Sequence, residues 1–509
     1  MARTTTTLLL IAIVTAVLAC IVVTSAGARV IAQSVAGFEG GPALGSDGRV
    51  VVGERHGNGA LGVLAIAPDT NVATELTAFG PLADPATFST LGIAGTGGIV
   101  TATRKILGTK LPLPFDVRTL TVLPTVAPIA GCSGPPRIGP NLEAAGGDGF
   151  IATIRDDCGA APSVVRIRTA NATIAIPLAI VPDEHTFAPA MFSLRAAGPM
   201  VGWIETHYPG GLAASSAVVA RAATGQVVLR APLPGDPFFF SALAADGTVV
   251  FISGSCAMSV VSPAAPALRT FALPAQLCPV IGPDPSPVSV AGGRVVYGAK
   301  SSGSLTADGY AVTDLQGAAH ALAEARSGPR GALSQTAFDG HTAYLVRVDC
   351  DADRLLAVDT DADATMSLAP VTPSTGERCP VRRADRSRLR VAPDAHVRIA
   401  LRCKHGCRGT LRLVEQRHGR RERPVGQVHY VTGPGTVVVR APIARYARVL
   451  AGCAGGLRVA AILHPIGTRN GPPTSDLGRG LGTFIVNSRS RCRRTGGPAF
   501  TRRQPGPRP

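Results

Sequence analysis

Aromatic residues make up only 4% of these 509 residues, and Trp203 is the single tryptophan. The hydrophobic share is nonetheless 46%, so cores must be built from Val, Leu, Ile and Ala rather than from large rings. Local signatures of common chemistries are also missing. No G-x-S-x-G elbow, H-E-x-x-H helix or phosphate-cradling P-loop occurs, which removes the usual serine hydrolase, zinc peptidase and nucleotide hydrolase readings. The ten histidines are scattered. His185, His207 and His341 fall in or near loops and read as surface residues. Only Cys403 and Cys407 approach zinc-ligand spacing, and no H-x(3–5)-H pair accompanies them. Neither a metal nor an organic cofactor is implied.

The chain starts "MARTTTTLLLIAIVTAVLACIVVTSAGARV". Arg3, the apolar run Leu8–Val23 and the small-residue exit Ala26-Gly27-Ala28 have the order of a secretory signal, so residues 1–28 are set aside as a signal peptide. Two alternatives stay open: an uncleaved membrane anchor, and lipidation at Cys20 in "VLAC", which the apolar "IVV" after it disfavours. Of 11 cysteines, ten lie beyond this segment, and an even number in an exported chain reads as disulfides. The expected location is secreted or at the cell envelope, which excludes cytoplasmic nucleic acid as a partner.

The net charge of +17 is unevenly placed. Residues 30–379 carry 21 Lys+Arg against 28 Asp+Glu, a balance of −7, whereas residues 380–509 carry 27 against 5, a balance of +22.

A repeat organises the acidic part. "ALGSDGRVVVGER", "LGIAGTGGIVTATR", "LEAAGGDGFIATIRDDC", "SLRAAGPMVGWIE", "SALAADGTVVFISGSC", "VSVAGGRVVYGAK" and "QTAFDGHTAYLVRVDC" share a small-residue run, a glycine turn and a β-branched run. Their glycines, Gly48, Gly98, Gly149, Gly198, Gly247, Gly293 and Gly340, are 50, 51, 49, 49, 46 and 47 residues apart. Each unit reads as four strands, with Thr224-Gly225 in "AVVARAATGQVVLRAP" as one later hairpin turn. Such a period suits propeller blades; separate β-sandwiches would need about 100 residues each. The expected class is all-β: a seven-bladed β-propeller over residues 38–378, then a second β domain.

These units resemble the TolB-like and related "x-x-x-D-G-x-V-x-[FY]" propellers of exported bacterial proteins, a structural motif that marks no active site. Sialidase-type S-x-D-x-G-x-T-W boxes are absent, and one tryptophan is too few for quinoprotein docking motifs. In a four-stranded meander, the loop after strand two and the segment leaving strand four share a face. That placement pairs Cys256 with Cys278 and Cys350 with Cys379, while Cys158, at the end of a second strand, pairs with Cys132 in the connection entering its blade; these bridges close loops of 22, 29 and 26 residues. Each would contribute roughly 3 kcal/mol by restricting the unfolded chain.

After "TPSTGERCPV" the texture changes. "SRLRVAPDAHVRIALRCKHGCRGTLRLVEQ" alternates aliphatic residues with Arg, a half-buried strand pattern with one charged face. "PVGQVHYV", "GTVVVRAPI", "LRVAAILHP" and "GTFIVNSR" read as further strands, so residues 380–493 are expected to form a basic immunoglobulin-like β-sandwich. This segment resembles the Arg-rich β-sandwich appended to many exported proteins of high-GC bacteria. Cys403 and Cys407 flank the turn "KHG", and Cys453 and Cys492 would tie the last strand back. The tail 494–509 is Pro-, Gly- and Arg-rich and reads as disordered.

Two clusters could carry function. Asp349, Asp351 and Asp353, then Asp359, Asp361 and Asp363, form two D-x-D-x-D runs that read either as Ca²⁺ loops or as solvated turns. Neither has an EF-hand's glycine and distal glutamate. Arg388, Arg390, Arg398, Arg402 and Arg412 would present one cationic face if their strands shared a sheet, attracting phosphate or carboxylate polymers; otherwise they merely solubilise the strands. The expected protein is non-catalytic: a propeller offering a binding or scaffolding surface, with a protein partner as one candidate, and a sandwich held to an anionic cell-wall polymer or membrane surface. The rival is a hydrolase or lyase with its site in the propeller's central channel.

Overall fold

In the computed structural model, described residues run from 28 to 365 and from 381 to 487. Outside the description are 36, 57–59, 80–88, 107–108, 118–120, 123–142, 155–163, 179–193, 208–213, 234–239, 254–255, 280–287, 300–308, 323–335, 385–387, 405, 416–422, 453–455 and 466–478. Residues 1–27, 366–380 and 488–509 lie outside it too, so the expected signal peptide, except Ala28, and the expected disordered tail fall outside the described residues. Contacts divide the chain into two compact units, residues 1–378 and 379–509.

Among the described residues, the first unit holds seven antiparallel sheets in chain order. Sheet 1 begins at the strand Phe38–Leu44, sheet 2 at Ser89–Ala94, sheet 3 at Glu143–Gly146 and sheet 4 at Arg195–Ala197. Sheets 5, 6 and 7 begin at Phe240–Leu243, Val288–Ala291 and Ala337–Phe338. Each initial strand packs against the initial strands of the sheets before and after it, and that of sheet 7 also meets that of sheet 1. The result is a closed, propeller-like ring.

Burial explains the strand sequences. The second strand of sheet 3, Phe150–Ile154, is buried at every position, because neighbouring sheets cover both faces and a continuous apolar run is required. The outermost strand of sheet 4, Val227–Leu233, buries only alternate residues along most of its length. Cores lie between consecutive sheets and are largely aliphatic: Val51, Leu61 and Val63 of sheet 1 pack with Val100 and Ala102 of sheet 2. Each fully buried Val or Leu contributes about 1.5–3 kcal/mol.

The Asp-Gly turns have a local cause. The carboxylates of Asp47, Asp246 and Asp339 each accept the N–H two residues on, from Arg49 at 3.1 Å, Thr248 at 2.9 Å and His341 at 2.8 Å, while the following glycine takes positive φ. Sheet 2 departs from the expected register. There the positive φ falls on Gly97 rather than Gly98.

Sheet 7 corrects a larger expectation. Its outer strand is Ala28–Ser34, paired antiparallel with Asp353–Asp359, with Ala28 opposite Val358 and Ser34 opposite Asp353. The fold of this unit therefore begins ten residues before the expected start at 38. Because the edge of Asp353–Asp359 is taken, the chain beyond Asp359 crosses to sheet 6, where Ala364–Thr365 pairs with Ala321 and Leu322 as a fifth strand.

The second unit has two sheets around one core. A three-stranded sheet orders Val381–Arg383, His396–Cys403 and Gly435–Pro442. A five-stranded sheet orders Arg388–Arg390, Arg479–Asn487, Leu457–Pro465, Cys407–Glu415 and Arg423–Thr432. Val397, Ile399 and Leu401 from the first meet Leu411, Leu413, Val459 and Phe484 from the second. A short helix, Arg445–Ala451, buries Ala447 and Ala451 against this core.

Candidate functional site

At the hairpin-turn end of the ring, main-chain hydrogen bonds tie sheets 1 to 4 together. Thr96 of sheet 2 donates its N–H to Ala196 O at 3.1 Å, and Gly198 of sheet 4 donates to Thr96 O at 2.8 Å. These bonds join sheets that are not neighbours in the ring. Gly97 donates to Leu44 O at 3.1 Å and Asp148 to Gly198 O at 2.8 Å. Glycine is required here by close approach: a Cβ on Gly95 would lie 2.1 Å from Gly146 O. Among the described residues, this end carries these backbone bonds and the Asp148 carboxylate, which accepts the Gly98 N–H at 3.0 Å.

Ionisable groups gather instead at the rim between sheets 6 and 7. A cleft of about 410 Å³ is lined by Arg294, Thr313, Asp314, His320 and Asp361, among others. Arg294 Nη1 lies 2.8 Å from Asp361 Oδ1 and donates to Gly340 O at 3.3 Å. The Asp314 carboxylate accepts the N–H groups of Gln316 and Ala318, each at 2.9 Å. The crossing that carries Asp361 from sheet 7 to sheet 6 helps form this cleft.

The two Asp runs sit at opposite ends of the strand Asp353–Asp359. Arg354 grips Asp351 through two bonds, Nη1 to Oδ1 at 3.1 Å and Nη2 to Oδ2 at 3.0 Å. It also reaches Asp349 at 2.5 Å, where Arg347 Nε adds a bond at 3.0 Å. The Arg354 hydrogen bond holds the Asp351 carboxyl below its ordinary range, against a smaller opposing effect of burial. Asp353 is 2% exposed and accepts the Phe38 N–H at 2.7 Å. At the other end, Asp359 accepts the N–H groups of Asp361 and Ala362, and Asp363 is buried. These carboxylates serve guanidinium groups and turns, and among the described residues no group of three or more His, Cys, Asp or Glu is placed to hold a metal ion.

Sequence reasoning passed over a polar cluster in sheet 4, formed by buried Trp203 and Glu205 with the exposed Arg230. Glu205 is fully buried and accepts the Trp203 indole N–H at 3.1 Å and a guanidinium N–H of Arg230. Trp203 and Glu205 lie two apart on Met200–His207 and share a face. That spacing was the available signal.

Cys256 and Cys278 form a disulfide with Cα atoms 4.8 Å apart, and Cys403 and Cys407 form another at 5.6 Å. Cys350 is disulfide-bonded. Cys132, Cys158, Cys379, Cys453 and Cys492 lie outside the described residues.

The five arginines expected on one sheet are divided between two. Arg398 and Arg402 belong to the three-stranded sheet, while Arg388, Arg390 and Arg412 belong to the five-stranded one. Alternation along a strand specifies a face but not a partner strand, and here consecutive strands part into different sheets. The three-stranded sheet gains two arginines that sequence reasoning passed over. Arg382 stands opposite Arg402, and Arg440 stands opposite Arg398. All four are exposed. Arg440 pairs with Asp394. Burial opposes ionisation of Asp394, yet the hydrogen bonds from Arg440 and the His396 N–H, with the nearby charges, hold its carboxyl below the usual range. Among the described residues, Arg382, Arg398 and Arg402 have no acidic partner. Arg408, on Cys407–Glu415, is by contrast fully buried.

No protein family matches this chain, and no curated protein does. One solved structure with similarity is the crystal structure of the tricorn protease, 11% identical with a TM-score of 0.26. The similarity covers 83% of this chain and 38% of that one, so the chain spans well under half the length of that protein. So loose a likeness speaks for neither mechanism nor substrate. No helix among the described residues is long and apolar enough to cross a membrane.

Proposed function

We propose that this is an exported, non-catalytic binding protein. In this reading the first unit is a seven-bladed propeller of the TolB-like kind, a rigid surface for a protein or other ligand. The second is a basic immunoglobulin-like module that holds the molecule to anionic material of the cell envelope. The observation that carries the reading is the pairing of Arg382 with Arg402 and of Arg398 with Arg440 on one exposed sheet face. Like charges placed directly opposite destabilise a sheet, so four together invite an external anion. The leader sequence and the disulfides support an oxidising, extracytoplasmic setting.

A test uses the full-length protein and insoluble cell-wall polymer. Retention at low salt that falls steeply toward physiological ionic strength and above is the expected result, since exposed charges are screened over about 8 Å at 0.15 M. Retention insensitive to salt, or none at any salt, would contradict the electrostatic role. The rival hydrolase or lyase reading draws on the cleft holding Arg294, Asp314, His320 and Asp361 rather than on the axis. Turnover of an envelope glycan that disappears in His320→Gln would replace the present proposal.

A further inference from the structure

We propose that the outer face of the three-stranded sheet binds a linear acidic glycan laid along the strands. This rests on the reading that the basic module meets an anionic envelope polymer, and it names the polymer class and the contact. The face has three rows. Arg402 stands opposite Arg382 in one outer row, and Arg398 opposite Arg440 in the other. Between them lies an apolar row: Ala400 stands opposite Val438, and Ala384 donates its N–H to Ala400 O at 2.9 Å. Val438 is 58% exposed, unusual for a large aliphatic side chain in a strand.

The spacing follows from strand geometry. Same-face rows are two residues apart, so the apolar row lies about 7 Å from each arginine row, and the arginine rows lie about 13 Å from each other. A partner that follows this pattern carries anions separated by an uncharged, partly apolar segment. A uronate-type chain does so, because its rings present C–H faces to Ala400 and Val438 while carboxylates reach the guanidinium pairs. Arginine forks suit carboxylates through two parallel hydrogen bonds. A polyphosphate has no apolar segment to set over Val438. A flat anionic bilayer would meet one exposed valine where membrane-surface elements use a broad apolar face. Asp394 satisfies only Arg440, at the margin of the patch, which leaves three cations for the ligand.

The experiment measures binding of the full-length protein to three probes: polygalacturonate, long-chain polyphosphate and phosphatidylglycerol vesicles. Three variants are compared, all at exposed positions. Arg398→Gln/Arg402→Gln removes one arginine from each row. Arg445→Gln/Arg458→Gln removes the same charge elsewhere in the unit. Val438→Asn alters the middle row without changing charge. The expected result is a loss of about tenfold or more for polygalacturonate in the first variant, equivalent to about 1.4 kcal/mol, and about twofold or less in the second. Val438→Asn should weaken polygalacturonate several-fold and leave polyphosphate unchanged. Equal losses in the two double variants would overturn the assignment to this face while leaving the electrostatic reading intact. Preference of the wild type for polyphosphate or vesicles, with no effect of Val438→Asn, would overturn the glycan class. Absence of wild-type binding to all three probes would remove both this inference and the reading beneath it.

Discussion

The two units use arginine in opposite ways. In the ring, four guanidinium groups are engaged internally: Arg354 and Arg347 hold Asp349, with Arg354 also on Asp351, Arg230 meets buried Glu205, and Arg294 meets Asp361. In the second unit, arginines face each other across strands, and among the described residues Asp394 alone answers the four on the outer face of the three-stranded sheet. The ring is slightly acidic overall, and the arginines just named each meet a carboxylate of their own unit; on the three-stranded sheet of the second unit, three of four do not. Total charge is therefore a poor guide to a binding face. What matters is whether the fold places a counter-charge within reach.

That contrast can be broken or sharpened by experiments on the full chain, in decreasing order of effect. Removing residues 28–34 should be the most damaging, because the edge of Asp353–Asp359 loses its partner and the buried Ile31 and Ser34 are lost. The ring's cooperative thermal transition should disappear, and a retained transition would show that sheet 7 stands without the strand. Trp203→Ala should cost about 3–5 kcal/mol, as for a large buried aromatic. It also strips Glu205 of one donor. Urea unfolding measures it, and a cost below about 1 kcal/mol would contradict the packing described.

Two tyrosines of sheet 6 give an internal control. Tyr297 donates its hydroxyl to Leu277 O at 2.9 Å, whereas the buried Tyr310 hydroxyl has no hydrogen-bond partner among the described residues. Burial pushes both phenols up. Tyr297→Phe should cost about 1 kcal/mol and Tyr310→Phe should be neutral or stabilising. Reversal of that order in denaturant titrations would place the unsatisfied hydroxyl wrongly.

The Asp351 pair tests the internal use of charge through pH. Its carboxyl is held low by Arg354, so the stabilisation is present above the ordinary carboxylate range and is lost as pH falls through the lowered value. Asp351→Asn should cost under about 1 kcal/mol at neutral pH, given the partial exposure of the pair. It should also flatten the acid limb of the stability curve below about pH 4. An unchanged acid limb would mean the pair contributes nothing. Arg402→Gln should act in the opposite sense and be the smallest effect. Relieving the opposition to Arg382 raises stability by a few tenths of a kcal/mol at low salt, and the gain should fade near 1 M salt. A loss of stability would show that the second unit, too, uses its arginines internally.

Much of the strand pattern was legible in the sequence. The repeat of small run, glycine turn and β-branched run corresponds to the first hairpins of all seven sheets, and "HVRIALRC" and "CRGTLRLVE" are strands with alternating burial over most of their length. Local chemistry dictates these features, through turn conformation and side-chain alternation. Pairing between distant segments was not legible. Ala28–Ser34 fell between the expected signal and the first expected blade without an assignment, apart from Ala28 at the end of that signal, because nothing nearby in sequence signals its partner at Asp353–Asp359. The arginine face failed for the same reason: alternation identified Arg398 and Arg402, but only topology adds Arg382 and Arg440 and removes Arg388, Arg390 and Arg412. The helix Arg445–Ala451 was missed because "RYARVLA" is too short for a helical period to stand out.

The strand at Ala28–Ser34 also sets an order of assembly. It is made first and must pair with residues around Val358, more than three hundred positions later. Contacts so distant in sequence are slow to form, because the intervening loop must close before they return any energy. Until then both the early strand and the edge of Asp353–Asp359 present unpaired backbone groups, the kind of edge that recruits other chains. A chain synthesised from its N-terminus thus carries an open edge until Asp353–Asp359 has been made, and the pairing that closes the ring also covers that edge.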